Sequence, residues 1–342
     1  MNTKTHVRGR ARRARGWAIT AALILLFTAV PMATAGADSH IQVAYSWTDL
    51  TEGITVDKVG NIFVSNSPAG ELWKIAPGAA GPEVFGTIGG IDPDAGDLGL
   101  IGLAVDAPGN VYGTVVSFSN SDANGVWKFD RKTGEVTKAP GSEAIVLANA
   151  IAFDERGNMY VTDSVIGAVW RIPKKGGPAE LWLVDATLEG LNIIPDVPVP
   201  IGANGIAYRQ GALYVSNTEK GSIVKIPIGR NGDPGTPSVV LQDAAIFGID
   251  GIALDVHGDI YAAIIAQSAV KKISMRPNVT VQILGDAFPV LDASSLAFGT
   301  GNGMRSTLYV VNYGVFSQAL FGAEPRPAIL AFDSGVPGMP LP

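Results

Sequence analysis

Cysteine is absent from the 342 residues, which excludes disulfides, a thiolate nucleophile and any Cys-ligated zinc. Histidine is nearly absent: only His6, His40 and His257 occur. His6 stands in an N-terminal leader, His40 just behind it and His257 within a predicted hairpin turn, so each reads as solvated and no catalytic His pair is available. No acidic residue precedes Asp38, whereas Lys4, Arg8, Arg10, Arg12, Arg13 and Arg15 crowd the start. An apolar stretch over 17–30 follows, then Ala33, Thr34 and Ala35. That order of basic region, short apolar run and small residues describes a secretory signal peptide over residues 1–35, too short to span a bilayer comfortably. Arg12 and Arg13 raise twin-arginine export beside the general route, and a retained anchor is the alternative. The expected location is secreted or periplasmic. Basic residues are scarce in what remains: without the leader, 19 stand against 31 acidic residues, a net charge of about −12. Such a surface repels phosphate backbones, so nucleic acid is excluded as a partner, and stable membrane association is not expected after cleavage.

What the chain has in abundance is repetition. Asn204-Gly205-Ile206-Ala207 opens a strand, and the same opening recurs around Glu52-Gly53, Ile101-Gly102, Asn149-Ala150, Asp250-Gly251 and Ser294-Ser295. The small residues at 53, 102, 150, 205, 251 and 295 are spaced by 49, 48, 55, 46 and 44 positions. A period in that range marks supersecondary units that bury their faces only against neighbours. Within each unit the openings lead to turns such as Asp57 to Asn61, Asp106 to Asn110, Asp154 to Asn158 and Asp255 to Asp259, each with Gly in the fourth place. Asp caps such a turn and Gly takes its left-handed position. Second strands are expected at 62–65, 111–112, 159–162, 213–216, 260–261 and 308–311. Third strands alternate at 72–75, 126–129, 169–172, 223–226 and 270–273. A variable fourth strand completes the unit, as at 180–184 and 238–241.

Six four-stranded units in series predict an all-β fold, a six-bladed β-propeller over residues 36–342 with repeats starting near 52, 101, 149, 204, 250 and 294. The sixth repeat lacks a fourth strand after 329–332, where Pro337, Pro340 and Pro342 crowd the tail. Residues 41–45 can supply it and close the ring. A pair of β-sandwiches is the competing reading, disfavoured by the regular period and the absence of a linker.

In a propeller the first strands line the central channel, so the residues opening them converge at one mouth. Glu52, Asn149, Asn204 and Asp250 stand there in blades one, three, four and five. Singly, each reads as a turn or cap residue. Together, two carboxylates and two amides would repel unless a cation sat between them, and they offer hard oxygen ligands. They predict one divalent cation, Ca2+ first, with Mg2+, Zn2+ or Mn2+ as alternatives.

On these residues the chain resembles the family of senescence marker protein 30, gluconolactonase and luciferin-regenerating enzyme. The family's Glu-Gly, Asn-Gly and Asp-Gly openings match Glu52-Gly53, Asn204-Gly205 and Asp250-Gly251 in order, and a third-blade Asn falls on Asn149. The resemblance spans residues 41 to about 333. It implies a six-bladed propeller holding one divalent cation and a small-molecule lactone or ester as substrate. Departures bear on that substrate. Ile54 follows Glu52-Gly53 where the family often has Pro, Leu147 stands where an Arg commonly holds a sugar hydroxyl, and Ile249 replaces the Pro before the Asp-Gly pair.

The inferred ligands imply hydrolysis by a cation-activated water, with Asp250 as the general base and, in the rival view, a ligand only. Loops 87–100, 184–203 and 313–328 are expected at the same mouth. Leu188, Leu191, Ile193, Ile194, Val197 and Val199 in the second, with Phe316, Leu320 and Phe321 in the third, form either an apolar rim for a hydrophobic ester or lactone or simple packing on the blades. Asp92, Asp94 and Asp97 resemble a fragment of a calcium loop, but Pro93 and the missing distal Glu make it read as a solvated acidic loop. Two function classes stay open: a secreted metal-dependent hydrolase of a lactone or ester, or a non-catalytic secreted propeller binding a ligand or partner with a structural metal. N-terminal sequencing of the exported protein should begin at Gly36; a mature chain that still starts at Met1 would identify a retained anchor.

Overall fold

The structure is a computed structural model that describes residues 41–195, 197–286, 289–301, 303–314 and 326–341. The predicted leader and His40 lie outside the described residues. Ser39–Pro342 forms one compact unit, and the description below concerns that unit. Among the described residues no helix is long and apolar enough to cross a membrane.

The period in the sequence translates directly into sheets. Six antiparallel four-stranded sheets follow one another. Their first strands are Thr51–Val56, Gly99–Val105, Ala148–Phe153, Ala203–Arg209, Ile249–Leu254 and Ala293–Phe298. The variable fourth strands include Glu180–Val184 and Ser238–Gln242. Blade 6 takes Ala293–Phe298, Thr307–Asn312 and Ala328–Asp333, with the N-terminal Ile41–Ser46 as its outermost strand. That strand pairs antiparallel from Ile41 opposite Phe332 to Ser46 opposite Ala328. Closing the ring with the chain's own start removes the open edge that a sheet would otherwise present.

The core is divided among the blade interfaces. Six buried apolar clusters each join one blade to the next. The last of them joins blade 6 to blade 1, through Tyr309, Val311 and Ile329 against Ile54, Val56 and Ile62. These contacts establish a six-bladed propeller and eliminate the two-sandwich alternative. A seventh cluster, around Ile101, Val116 and Leu147, is not an interface between two sheets alone.

The two faces of the ring have different chemistry. One carries the turns between first and second strands, built as the sequence predicts. Asp57 Oδ1 accepts from the N–H groups of Val59 and Asn61 at 3.0 and 2.9 Å, and Gly60 sits at φ +90°. Asp106, Asp154 and Asp255 accept from Asn110, Asn158 and Asp259 in the same way, at 2.7, 2.8 and 3.0 Å. His257 is exposed in the last of these turns. Because the strands are antiparallel, the starts of all first strands lie on the other face.

There every first strand is interrupted. The ladder to the second strand breaks between Thr51 and Ile54, Leu100 and Leu103, Ala148 and Ile151, Ala203 and Ile206, Ile249 and Ile252, and Ala293 and Ser295. Such a bulge re-aims side chains out of the pleat, and the residues it frees are the opening pairs of the first five repeats and Ser294 of the sixth. The second member is small because the next blade's backbone touches it. A Cβ on Gly53 would lie 1.9 Å from the Ile101 carbonyl oxygen, and one on Gly102 1.9 Å from that of Asn149. At Gly205 and Gly251 the distances to the Asp250 and Ser294 oxygens would be 2.4 and 2.8 Å. Gly102→Ala should therefore lower the unfolding free energy by about 2 kcal/mol or more. Gly81→Ala, which faces open space, serves as the control. Urea titrations giving equal stabilities for the two variants would contradict this close packing.

Candidate metal centre

The bulges bring the opening residues together. Glu52, Asn149, Asn204 and Asp250 all line one cavity of about 80 Å³ at the mouth of the channel, joined by Ser294 of blade 6. Blade 2 is the exception, since Ile101 leaves this lining and packs with Val116 and Leu147. Beneath the polar groups, Ile54, Leu103, Ile151, Ile206, Ile252 and Leu296 form an aliphatic floor, one residue from each blade. All six are buried. The cavity is thus polar above and apolar below, and its two carboxylates have little water to share.

Their electrostatics follow. Burial pushes the Glu52 carboxyl from its ordinary 4.5 up to about 7. Burial, and then the Glu52 charge, raises Asp250 well above its usual range against a hydrogen bond from Asn204 that favours its ionised form. Two buried acceptors in this cavity, Glu52 Oε2 and Asn204 Oδ1, have no hydrogen-bond partner. The orientation of Asn204 is set by its neighbours: Thr218 Oγ1 donates to the Ile249 carbonyl at 2.8 Å, so it can only accept from Asn204 Nδ2, at 2.9 Å. The amide oxygen is left free. Unpartnered acceptors beside two carboxylates are costly unless something positive shares the space. The residues therefore fit a divalent cation, with Glu52 and Asp250 supplying charge and Asn204 and Asn149 neutral oxygens. Among the described residues no group of three His, Cys, Asp or Glu side chains gathers anywhere.

A supporting layer escaped the sequence reading. The backbone carbonyl of each of the four residues accepts a hydroxyl hydrogen bond from the preceding blade. Thr114 Oγ1 donates to Asn149, Thr162 Oγ1 to Asn204, Ser216 Oγ to Asp250 and Ser294 Oγ to Glu52, at 2.7, 2.6, 2.8 and 2.8 Å. The first two hydroxyls also accept from the bulge N–H of their own blades, Gly102 and Ala150, at 2.9 and 3.0 Å. Each links a cavity residue to two blades at once, which holds the group in place. The signal was present: Thr114, Thr162 and Ser216 occupy one register of the second strand, but the carbonyls they reach are 35, 42 and 34 residues away. Tyr313 was likewise named only as the start of a loop. Burial, then the nearby Glu52 and Asp250 charges, pushes its hydroxyl above the ordinary tyrosine range.

Other expectations require correction. Asp97 is not part of a solvated acidic loop. Its buried carboxylate accepts from the N–H groups of Asp92, Phe118 and Ser119 and from the hydroxyls of Ser117 and Ser119. Burial alone would raise its pKa, but these donors outweigh burial and hold it at about 2. Asp92 and Asp94 stay exposed. Leu188 is no rim residue, since it is fully buried between blades 3 and 4. Leu191 and Ile193 are half exposed, and Ile194, Val197 and Val199 are partly buried. Phe316, Leu320 and Phe321 lie outside the described residues.

No family model and no curated protein matches the sequence. Solved structures match the fold. A gluconolactonase from Xanthomonas campestris is 16% identical, with a TM-score of 0.60 over 87% of this chain and 89% of its own. A luciferin-regenerating enzyme is 14% identical, with a TM-score of 0.66 over 88% and 97%. The calcium-binding protein regucalcin from Agrobacterium tumefaciens is 18% identical, with a TM-score of 0.60 over 88% and 97%. The fold implied by the family resemblance is the fold these structures share with the chain.

The raised pKa of Glu52 makes stability depend on pH. Its folded value of about 7 exceeds its unfolded 4.5, so its contribution is fully present below pH 4.5 and is lost as pH rises through 7. The loss at pH 8 is on the order of 3 kcal/mol. Protein freed of metal by a chelator should therefore melt at a higher temperature at pH 5 than at pH 8, and excess Ca2+ should erase that difference. A chelated melting temperature that is flat between the two pH values, and indifferent to Ca2+, would mean that the carboxylates do not confront each other.

Proposed function

We propose that the protein is a divalent-cation-dependent hydrolase of a lactone or ester, exported by its leader and active outside the cytoplasm. The observation that carries this reading is the pair of unpartnered buried oxygens, Glu52 Oε2 and Asn204 Oδ1, in one small cavity with Asp250. Hard carboxylate and amide oxygens favour Ca2+, and regucalcin, with the same fold, is a calcium-binding protein. Mg2+, Zn2+ and Mn2+ are the alternatives. The leader's basic start and small residues at Ala33 and Ala35 support export.

A divalent cation held there supplies charge that polarises a carbonyl and acidifies water. The chain's own groups do the rest. Glu52 balances charge, and the neutral oxygens of Asn204 and Asn149 fix the position of what binds. Ile54, Leu103, Ile151, Ile206, Ile252 and Leu296 on the lining give the pocket apolar surface beside its polar groups. Asp250 takes the proton as the water oxygen bonds to the carbonyl carbon, then returns it to the departing oxygen when the acyl–oxygen bond breaks.

Two variants separate base from ligand. Asp250→Asn keeps an oxygen in place but cannot accept the proton; with excess Ca2+ it should remain two to four orders of magnitude slower, roughly the scale of a lost general base. Asn204→Ala keeps that carboxylate and should recover most activity in the same excess. Equal rescue of both would reduce Asp250 to a ligand, and no wild-type turnover of any lactone or ester would leave a cation-stabilised binding protein.

A further inference from the structure

Resting on the hydrolase reading, we infer that the substrate carries an apolar arm, and that this arm leaves the cavity over blades 2 to 4. A cavity of about 80 Å³ accommodates little beyond a cation and a carbonyl group, so most of any substrate lies outside it. The surroundings are not equivalent in every direction. Five blades set Glu52, Asn149, Asn204, Asp250 or Ser294 on the lining. Only blade 2 puts an aliphatic residue, Ile101, in that register, and there the seventh apolar cluster begins.

That cluster joins Ile101, Val116 and Leu147 to Val199 and Ile201 of the 184–203 loop. Its flanking segments carry exposed apolar side chains: Val146, Leu191 and Ile193 are 43%, 52% and 52% accessible. They belong to segments that reach the cluster: Val146 precedes Leu147, and Gly190, next to Leu191, lies against Pro200 and Ile201. The loop is fixed in this position by a buried carboxylate. Glu219, 2% exposed, accepts from three consecutive N–H groups, those of Leu191, Asn192 at 2.5 Å and Ile193 at 3.3 Å. Asn192 adopts φ +54° to form this nest. Asn217 Nδ2 adds hydrogen bonds to the carbonyls of Thr187 and Glu189 at 3.1 and 3.0 Å. A preorganised loop with exposed apolar side chains, packed beside Ile101 next to the pocket-lining Gly102, suits an alkyl or acyl chain, which is held without an ordering cost in the loop.

The test uses the mature, Ca2+-loaded protein and two ligand series of equal ring size. γ-Lactones with alkyl arms of zero to eight carbons report turnover, and the matching γ-lactams, which resist hydrolysis, report binding by calorimetry. Lactone kcat/KM and lactam affinity should both rise about two- to fourfold per methylene until the surface is covered. Leu191→Lys with Ile193→Lys should flatten both slopes, and Glu219→Gln, which weakens the nest, should reduce them. Lactam affinity that rises with arm length while no lactone is turned over would sustain the apolar surface and remove the hydrolase reading. Turnover of lactones with no dependence on arm length would overturn the apolar surface and leave the hydrolase intact. Slopes unchanged in the Lys variant would also overturn it, because the arm would then lie elsewhere.

Discussion

Everything at the mouth of this propeller depends on how closely six first strands approach one another around the channel. Gly53, Gly102, Gly205 and Gly251 let each blade's backbone touch the carbonyl of the next. The ladders break at the same places. A β-strand normally sends alternate side chains to opposite faces, which would scatter these residues among the blade interfaces. The bulge releases one residue per blade from that alternation, and the close approach brings those residues into one cavity. Without either, Glu52 and Asp250, 198 positions apart in sequence, would be two unrelated buried acids.

The cavity so formed is a liability for the fold taken alone. Two carboxylates share a site whose floor is aliphatic, and unpartnered oxygens add to the cost. Among the described residues Arg209, Ser222, Asp255 and Tyr261 also carry a buried atom without a hydrogen bond, although Asp255 keeps an ion pair with Lys272. Asp57, Asp106, Asp154 and Asp255 are locked into turns, and Asp97 is saturated with donors. Local violations of polar satisfaction in an otherwise consistent fold mark functional sites. The hydroxyls of Thr114, Thr162, Ser216 and Ser294 explain how the strain is contained, since each fastens a cavity residue's backbone to the neighbouring blade.

The division of labour between the two faces also follows from strand direction. The regular Asp-to-Gly turns of blades 1, 2, 3 and 5 occupy one face, where those blades repeat the same solution. The long connections occupy the other, where blades differ. There the 184–203 loop, fastened through Glu219 and Asn217, distinguishes the sector over blades 2 to 4 from the remainder of the rim. A common scaffold with unequal loops at one mouth is how propellers carry different chemistries.

Much of this was legible in the sequence because repetition amplifies weak signals. One Asn-Gly pair is a turn; six openings at a blade-sized period locate the first strands, their common face and Glu52, Asn149, Asn204 and Asp250 upon it. The strand over residues 41–45 was legible for a related reason, as blade 6 lacked a partner and the chain had one strand to spare. The three-dimensional structure alone decided what depends on contacts between distant positions. Asp97 reads as one of three acids in a loop, and only its meeting with residues 117–119 makes it a buried anchor. Leu188 and Leu191 are indistinguishable as apolar loop residues, yet one is sealed between blades and the other exposed. The hydroxyl bridges and the Glu219 nest join residues that no local pattern relates. Periodicity records which face a residue occupies, whereas the identity of its neighbour is set by how blades pack, and packing is a property of the closed ring.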